Sequence, residues 1–221
     1  MHTEEYYEIK DASYYEQVRH DVIGMIPKGT RRVLEVGCST GATLAHAKKT
    51  LGLEEVVGIE PFPSAAATAA ERVDRVIEGD IESMDALDYP ERYFDCIICA
   101  DVLEHLRDPW ATLRMLRRYL ADDGVLIASI PNFRHIVAII RIVRDRFEYE
   151  EHGLFDQTHL RFFTLHTMRK MFQDTGFVVR RVETNRSDSM VFRLARAVTF
   201  GLFTPFSVFQ YRLVCGKEKG V

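Results

Sequence analysis

Apolar residues in this chain gather in two patterns: short continuous runs, and stretches with apolar positions three or four apart. The runs over 33–36, 54–60, 75–78, 93–100 and 125–131 predict strands. The periodic stretches over 42–51, 64–72 and 110–120 predict helices between them, with Gly52 as one stop and 121–124 as a turn. Continuous runs alternating with helices mean βαβ units and a parallel sheet covered on both faces. An amphipathic helix over about 12–27 precedes them, with Tyr15, Val18, Val22, Ile23 and Ile26 near one face. After Pro131 the rhythm changes. Residues 133–147 read as an extra helix, and 148–163 as an irregular loop dense in His, Asp and aromatic residues. A helix over 165–174, a strand over 177–183, a helix over 190–202 and a strand over 206–215 follow. The last two strands are expected to close the sheet edge as an antiparallel hairpin.

A chain of 221 residues is long enough for one cored domain and short for two. The expected division is a core of about 30–131 and 165–221 with a cap or substrate insertion at about 132–164. A net charge of -4 gives no global reason to expect nucleic acid as a partner. Cys96 and Cys99 form a C-x-x-C, but in a strand residues three apart point to opposite faces, so a redox or zinc pair is disfavoured. Residues 1–10 lack an apolar signal-peptide core and no apolar run reaches transmembrane length, so the expected compartment is the cytoplasm.

Chemistry enters at the turn after the first strand, Gly37-Cys38-Ser39-Thr40-Gly41. A strand turning sharply into a helix is expected to present free backbone N–H groups and a positive helix end to a carboxylate, phosphate or ribose. The nicotinamide fingerprint fails, because Ser39 and Ala42 stand where its second and third glycines belong, and no P-loop Gly-Lys-Ser/Thr follows. Glu60, at the end of the second strand, follows Gly41 by about the 20 positions expected of a ribose-binding acid.

Glu35-x-Gly37-x-x-x-Gly41, the strand-ending Glu60, Gly79-Asp80-Ile81, Phe94-Asp95 and Ala100-Asp101-Val102-Leu103-Glu104-His105-Leu106-x-Asp108-Pro109 together resemble the class I S-adenosylmethionine-dependent methyltransferases, in particular their type 11/23 small-molecule branch. The resemblance runs from about Arg32 to Pro131 and departs from the family at Ser39, where glycine is usual. It implies a Rossmann-like, doubly wound α/β sheet of seven strands, mostly parallel with an antiparallel last strand, and a small helical cap. It also implies S-adenosyl-L-methionine as cofactor, S-adenosyl-L-homocysteine as product and a small-molecule methyl acceptor. The cofactor is expected to meet Glu35 and the Gly37 backbone at its methionine end, with Cys38 and Gly41 also among its contacts. The two oxygens of Glu60, beside Pro61, would take the ribose hydroxyls, Asp80 and Ile81 the adenine, and Ala100, Asp101 and Leu103 the region of the sulfonium.

Methyl transfer needs a base near the acceptor. His105 is one candidate. The loop around Asp156-Gln157-Thr158-His159-Leu160-Arg161 is the preferred place, with His159 as base, Asp156 orienting it, and His152, Arg161 and Arg134 contacting substrate. A structural network that only pins the loop is the competing reading. No spaced His/Asp cluster asks for a metal. O-methylation of a sugar or of a nucleotide- or lipid-linked glycan intermediate is the favoured reaction. Arginines accompany apolar residues over 134–146 and 190–202; the plain expectation is buried apolar faces with solvated arginines, the alternatives a lid, a subunit contact or peripheral membrane contact. The rival functions are a non-catalytic binding subunit of the same fold and a nicotinamide-dependent oxidoreductase.

Overall fold

The computed structural model describes residues 17–186 and 189–218. Strands β1 (Arg32–Val36), β2 (Glu55–Glu60), β3 (Arg75–Glu78), β4 (Phe94–Ala100), β5 (Leu120–Pro131), β6 (Phe177–Arg186) and β7 (Val208–Lys217) form one sheet in the order β3-β2-β1-β4-β5-β7-β6. The helices are α1 (His20–Ile23), α2 (Ala42–Leu51), α3 (Pro63–Ala70), α4 (Pro109–Tyr119), α5 (Ile136–Val143), α6 (Leu165–Asp174) and α7 (Met190–Val198). β1 pairs in parallel with both β2 and β4, so the winding direction reverses between β1 and β4. A crevice opens at such a switch point, beyond the carboxyl ends of the strands.

The β6–β7 edge differs in detail from a simple hairpin. β7 runs antiparallel to both β5 and β6 and lies between them, so β6 is the edge strand. The β4–β5 register shifts between Phe94 and Cys96, and the expected turn at 121–124 is absorbed within β5 as this irregularity.

Side-chain alternation places Leu34, Val36, Ile97, Cys99, Leu126 and Ala128 in one core cluster, and Val33, Cys96, Ile98, Val125 and Ile127 in a second. Cys96 and Cys99 therefore lie on opposite faces, and Cys38, Cys96, Cys99 and Cys215 are all free and buried. Local capping sets several boundaries. The Asp108 carboxylate accepts the Ala111 amide at 2.9 Å and Pro109 occupies the first turn of α4, which starts that helix before Trp110. Thr164 and Thr167 form a reciprocal cap on α6.

Between β5 and α6 the chain leaves the sheet and returns: the Phe133 amide donates to the Phe163 carbonyl at 2.8 Å, while Ala138, Leu154 and Phe155 make a small cluster of their own with Phe133. α5 is shorter than the expected 133–147. Among the described residues of the N-terminal segment only His20–Ile23 is helical; residues 12–16 of the expected helix lie outside the described ones. No helix of the described residues is long and apolar enough to cross a membrane.

The plain expectation for the two arginine-rich helices does not hold. α7 has no buried residue and α5 has only Ala138; Val143, Met190, Val191, Leu194, Val198, Phe200 and Leu202 are exposed, Phe200 at 97%. Their periodicity is real, but among the described residues only Ala138 of the two helices is buried, against Leu154 and Phe155.

Candidate functional site

A cavity of about 790 Å³ lies at the carboxyl ends of β1, β2 and β4, within the roughly 300–1,000 Å³ common for ligand sites. Its wall includes Glu35, Gly37, Cys38, Ser39, Glu60, Pro61, Asp80, Ile81, Ala100 and Asp101. These residues are spread over 67 positions of sequence and meet because successive parallel strands end on the same side of the sheet.

The turn after β1 is built from left-handed residues: Gly37 (φ 68°), Ser39 (φ 52°) and Gly41 (φ 75°). A Cβ at Gly37 would stand 2.9 Å from Val102 Cγ2. Gly41 caps α2 and packs against Ala69 and Val73, off the cavity wall, so its part is conformational. Four amides of the turn itself are engaged within the protein. Those of Gly37 and Cys38 donate to the Ile59 carbonyl (2.8 and 3.1 Å), that of Ser39 to Glu60 Oε2 (2.7 Å) and that of Gly41 to the Cys38 carbonyl (2.9 Å). With these four donors consumed, what the turn still presents to the cavity is the start of α2 at Ala42 and Thr43.

Glu35 is 4% exposed, and its Oε2 is buried without a hydrogen-bond partner among the described residues. Burial pushes its carboxyl up to about 8, with Arg19 pulling it down and Glu60 adding to the rise. An ammonium group would satisfy that oxygen and restore its charge, so the donor set fits the amino-acid end of S-adenosylmethionine. Glu60 is fully shielded. Its Oε2 holds the Ser39 amide and its Oε1 the Phe62 amide at 3.2 Å, while burial raises its carboxyl and these two amides oppose the rise. The expectation of two oxygens open to ribose is thereby corrected: a diol must use their second lone pairs. Asp80 lines the cavity and also caps a 3₁₀ turn, Oδ1 accepting the Glu82 amide at 2.9 Å.

Leu103 is fully buried in the core rather than on the wall. Asp101 adopts φ 57° and accepts from both Arg19 and Gln210. Burial raises its carboxyl, and Arg19 counters that. Arg19 also bonds Asp21 (3.0 Å) and Ser129 (3.2 Å), fastening the N-terminal segment at the cavity wall, and its partners hold its guanidinium above the usual value despite burial. Sequence reasoning missed Arg19 because it read 12–27 as one amphipathic helix with Arg19 in its interior, whereas the described helix begins only at His20.

The expected catalytic residues come together in part. His105 lines the cavity, and the His105 and His159 rings lie 4.7 Å apart. Asp156 Oδ1 accepts the Thr158 amide at 2.8 Å and its hydroxyl at 2.5 Å. That hydroxyl lies 3.0 Å from His105 Nδ1, and the Thr158 carbonyl 3.2 Å from it. Since the hydroxyl donates to Asp156 and a carbonyl only accepts, Nδ1–H is assigned as the donor to Thr158. Asp156 thus reaches His105 through Thr158, a link not expected from the sequence. None of the three expected substrate contacts is on the wall. The Arg161 Nε donates to the Arg107 carbonyl at 3.1 Å beneath a Trp110 contact, Arg134 lies 4.6 Å from the Phe206 ring centre, and His152 is exposed. Arg161 instead ties the 157–163 loop to the loop after β4.

A family profile described as a methyltransferase domain matches residues 10–182. The ubiquinone biosynthesis O-methyltransferase of Bradyrhizobium diazoefficiens is 30% identical over 107 residues, 47% of this chain and 41% of that protein. The tRNA U34 carboxymethyltransferase of Sulfurimonas denitrificans is 31% identical over 101 residues, 44% of this chain and 33% of that one. The matched stretch spans less than half the length of these relatives. A crystal structure of a SAM-dependent methyltransferase from Archaeoglobus fulgidus shares the fold, with a TM-score of 0.63 at 20% identity over 86% of this chain and 87% of that one. With the profile extending through every strand from β1 into β6, the chain belongs to the methyltransferase-domain family, in the class I, S-adenosylmethionine-dependent, type 11/23 branch.

Proposed function

We propose that this protein transfers a methyl group from S-adenosylmethionine to a hydroxyl of a small-molecule acceptor. The observation that carries the donor half is the partnerless, buried Oε2 of Glu35 on the cavity wall. When bound, the donor supplies an electrophilic methyl on a sulfonium whose departure is neutral. The chain's own task is then to hold both reactants in line and remove the acceptor's proton. Glu35 receives the ammonium, the Glu60 and Asp80 carboxylates accept from ribose and adenine, and Ile81 packs on the ring. His105, with Nδ1 fixed by Thr158, lines the cavity that would take the acceptor, and the His159 ring lies 4.7 Å from it.

A hydroxyl acceptor is favoured because the groups near this wall are imidazoles. A lipid-linked acceptor has one supporting observation, the exposed apolar faces of α5 and α7 with arginines among them. Calorimetry with S-adenosylhomocysteine, followed by methyl-transfer assays on sugar nucleotides, phenols and small hydroxy acids, tests the reading. Absence of S-adenosylhomocysteine binding to ligand-free protein refutes the donor half, and methyl transfer only to amines refutes the acceptor half.

A further inference from the structure

Glu104 follows β4 in the loop beside the cavity. It is 2% exposed, and neither carboxylate oxygen has a hydrogen-bond partner among the described residues. Its position is enforced by the backbone, since its carbonyl accepts the amides of Leu160 (2.9 Å) and Arg161 (3.0 Å). A buried carboxylate with no donor is costly unless it meets a proton or a cation. What stands beside it is two imidazoles. One ligating atom each from Glu104, His105 and His159 all lie within 4.8 Å of one another.

We propose that Glu104, His105 and His159 bind a divalent first-row transition-metal ion, and that this ion takes the acceptor's hydroxyl as a ligand. Two imidazoles and one carboxylate form the donor set of catalytic zinc and non-haem iron sites, and they select such ions over calcium or magnesium, which prefer oxygen. Bonds of about 2.1 Å place tetrahedral ligands about 3.4 Å apart, so side-chain rotations of about 1 Å close the triangle. The supporting shell is already in place: His105 gives Nδ1–H to Thr158, whose hydroxyl is held by Asp156. Ligating histidines are commonly oriented by such a second bond, one ring nitrogen on the orienting group and the other on the metal. His105 also lines the cavity, so the ion's open positions meet the acceptor there.

The acceptor's role rests on the methyl-transfer reading above; the metal site does not. In that role the ligated hydroxyl gives its proton to water, the ion lowering its pKa. Its oxygen then bonds the methyl carbon while the carbon–sulfur bond breaks and that electron pair stays on sulfur. With the ion bound, the histidines serve as ligands and the ion takes over the deprotonation that an imidazole performs in the metal-free protein.

The test is Co²⁺ titration of chelator-treated protein, read by visible d–d absorption, with Zn²⁺ calorimetry in parallel. One equivalent is expected in the wild type. Glu104→Gln and His159→Asn are each expected to weaken Co²⁺ by a factor on the order of 100, while S-adenosylhomocysteine affinity stays within about threefold. If Glu104→Gln does not fold, His159→Asn carries the comparison. No stoichiometric uptake by the wild type, or uptake unchanged in the folded variants, overturns the site. Metal uptake without S-adenosylhomocysteine binding would instead overturn the methyl-donor reading and leave the site standing.

Discussion

Replacing Glu35 by glutamine separates the stability of the empty protein from its capacity to bind the donor. The carboxyl is raised from the usual 4.5 to about 8, chiefly by burial. Because the folded state holds the proton more tightly than the unfolded state, the proton-bound fold is favoured at low pH and stability falls as pH rises from 4.5 to 8. At 1.36 kcal/mol per pH unit, the span from 4.5 to pH 7 corresponds to about 3 kcal/mol. Glutamine has the shape of the protonated acid without this cost, so Glu35→Gln should stabilise the ligand-free protein at pH 7 by up to about 3 kcal/mol, measured by urea unfolding.

Donor binding should show the opposite effect. At pH 7 the empty wild type carries its proton on Glu35, and pairing with the ligand's ammonium expels it. Calorimetry in two buffers of different ionisation enthalpy should therefore find about 0.8 proton released per S-adenosylhomocysteine bound, after allowing for a ligand amine of pKa about 8. In Glu35→Gln the release should vanish and affinity drop about 10- to 100-fold, the loss of one charge-assisted hydrogen bond. A variant less stable than wild type at pH 7, or one that still releases the proton, refutes the assignment of Glu35 to the ammonium.

Other consequences are open to measurement. Arg19→Met removes the tether to Asp101 and, discounted for partial exposure, should weaken S-adenosylhomocysteine about fivefold by calorimetry. Ser39→Gly relieves a left-handed serine whose buried Oγ has no partner among the described residues, and should stabilise the empty protein by about 1 kcal/mol in chemical unfolding. Arg161→Ala frees the loop that carries Thr158 and His159, and steady-state assays should show kcat/KM falling about 10- to 100-fold with S-adenosylhomocysteine affinity unchanged. Burial pushes all four cysteine thiols up, Cys99 to about 12, so a thiol reagent should label none in the native protein at pH 8 and four after unfolding.

Strand ends and the carboxylates on them were legible in the sequence because apolar runs and acids at their termini are local signals. The parallel register then places Glu35, Glu60 and Asp80 around one cavity. Three things were not legible. The turn's amides turn inward to Ile59 and Glu60, a choice made by how closely β2 approaches β1. The Arg19–Asp101 contact joins residues 82 apart, and no periodicity encodes it. Glu104 was read only as part of the family-like run after β4; its burial beside His105 and His159 depends on how the 157–163 loop folds back over that run. The two arginines expected at the substrate lie off the cavity wall. Arg161 and Arg134 were assigned to substrate by charge, yet one holds a loop carbonyl and the other lies over Phe206.

The central claim, that the crevice at the β1/β4 switch point is an S-adenosyl site, is tested most directly by titrating S-adenosylhomocysteine into ligand-free protein in a calorimeter. A saturable isotherm with one site per chain is predicted, accompanied by proton release at pH 7. Absence of binding, or an isotherm unaffected by Glu35→Gln, would contradict it.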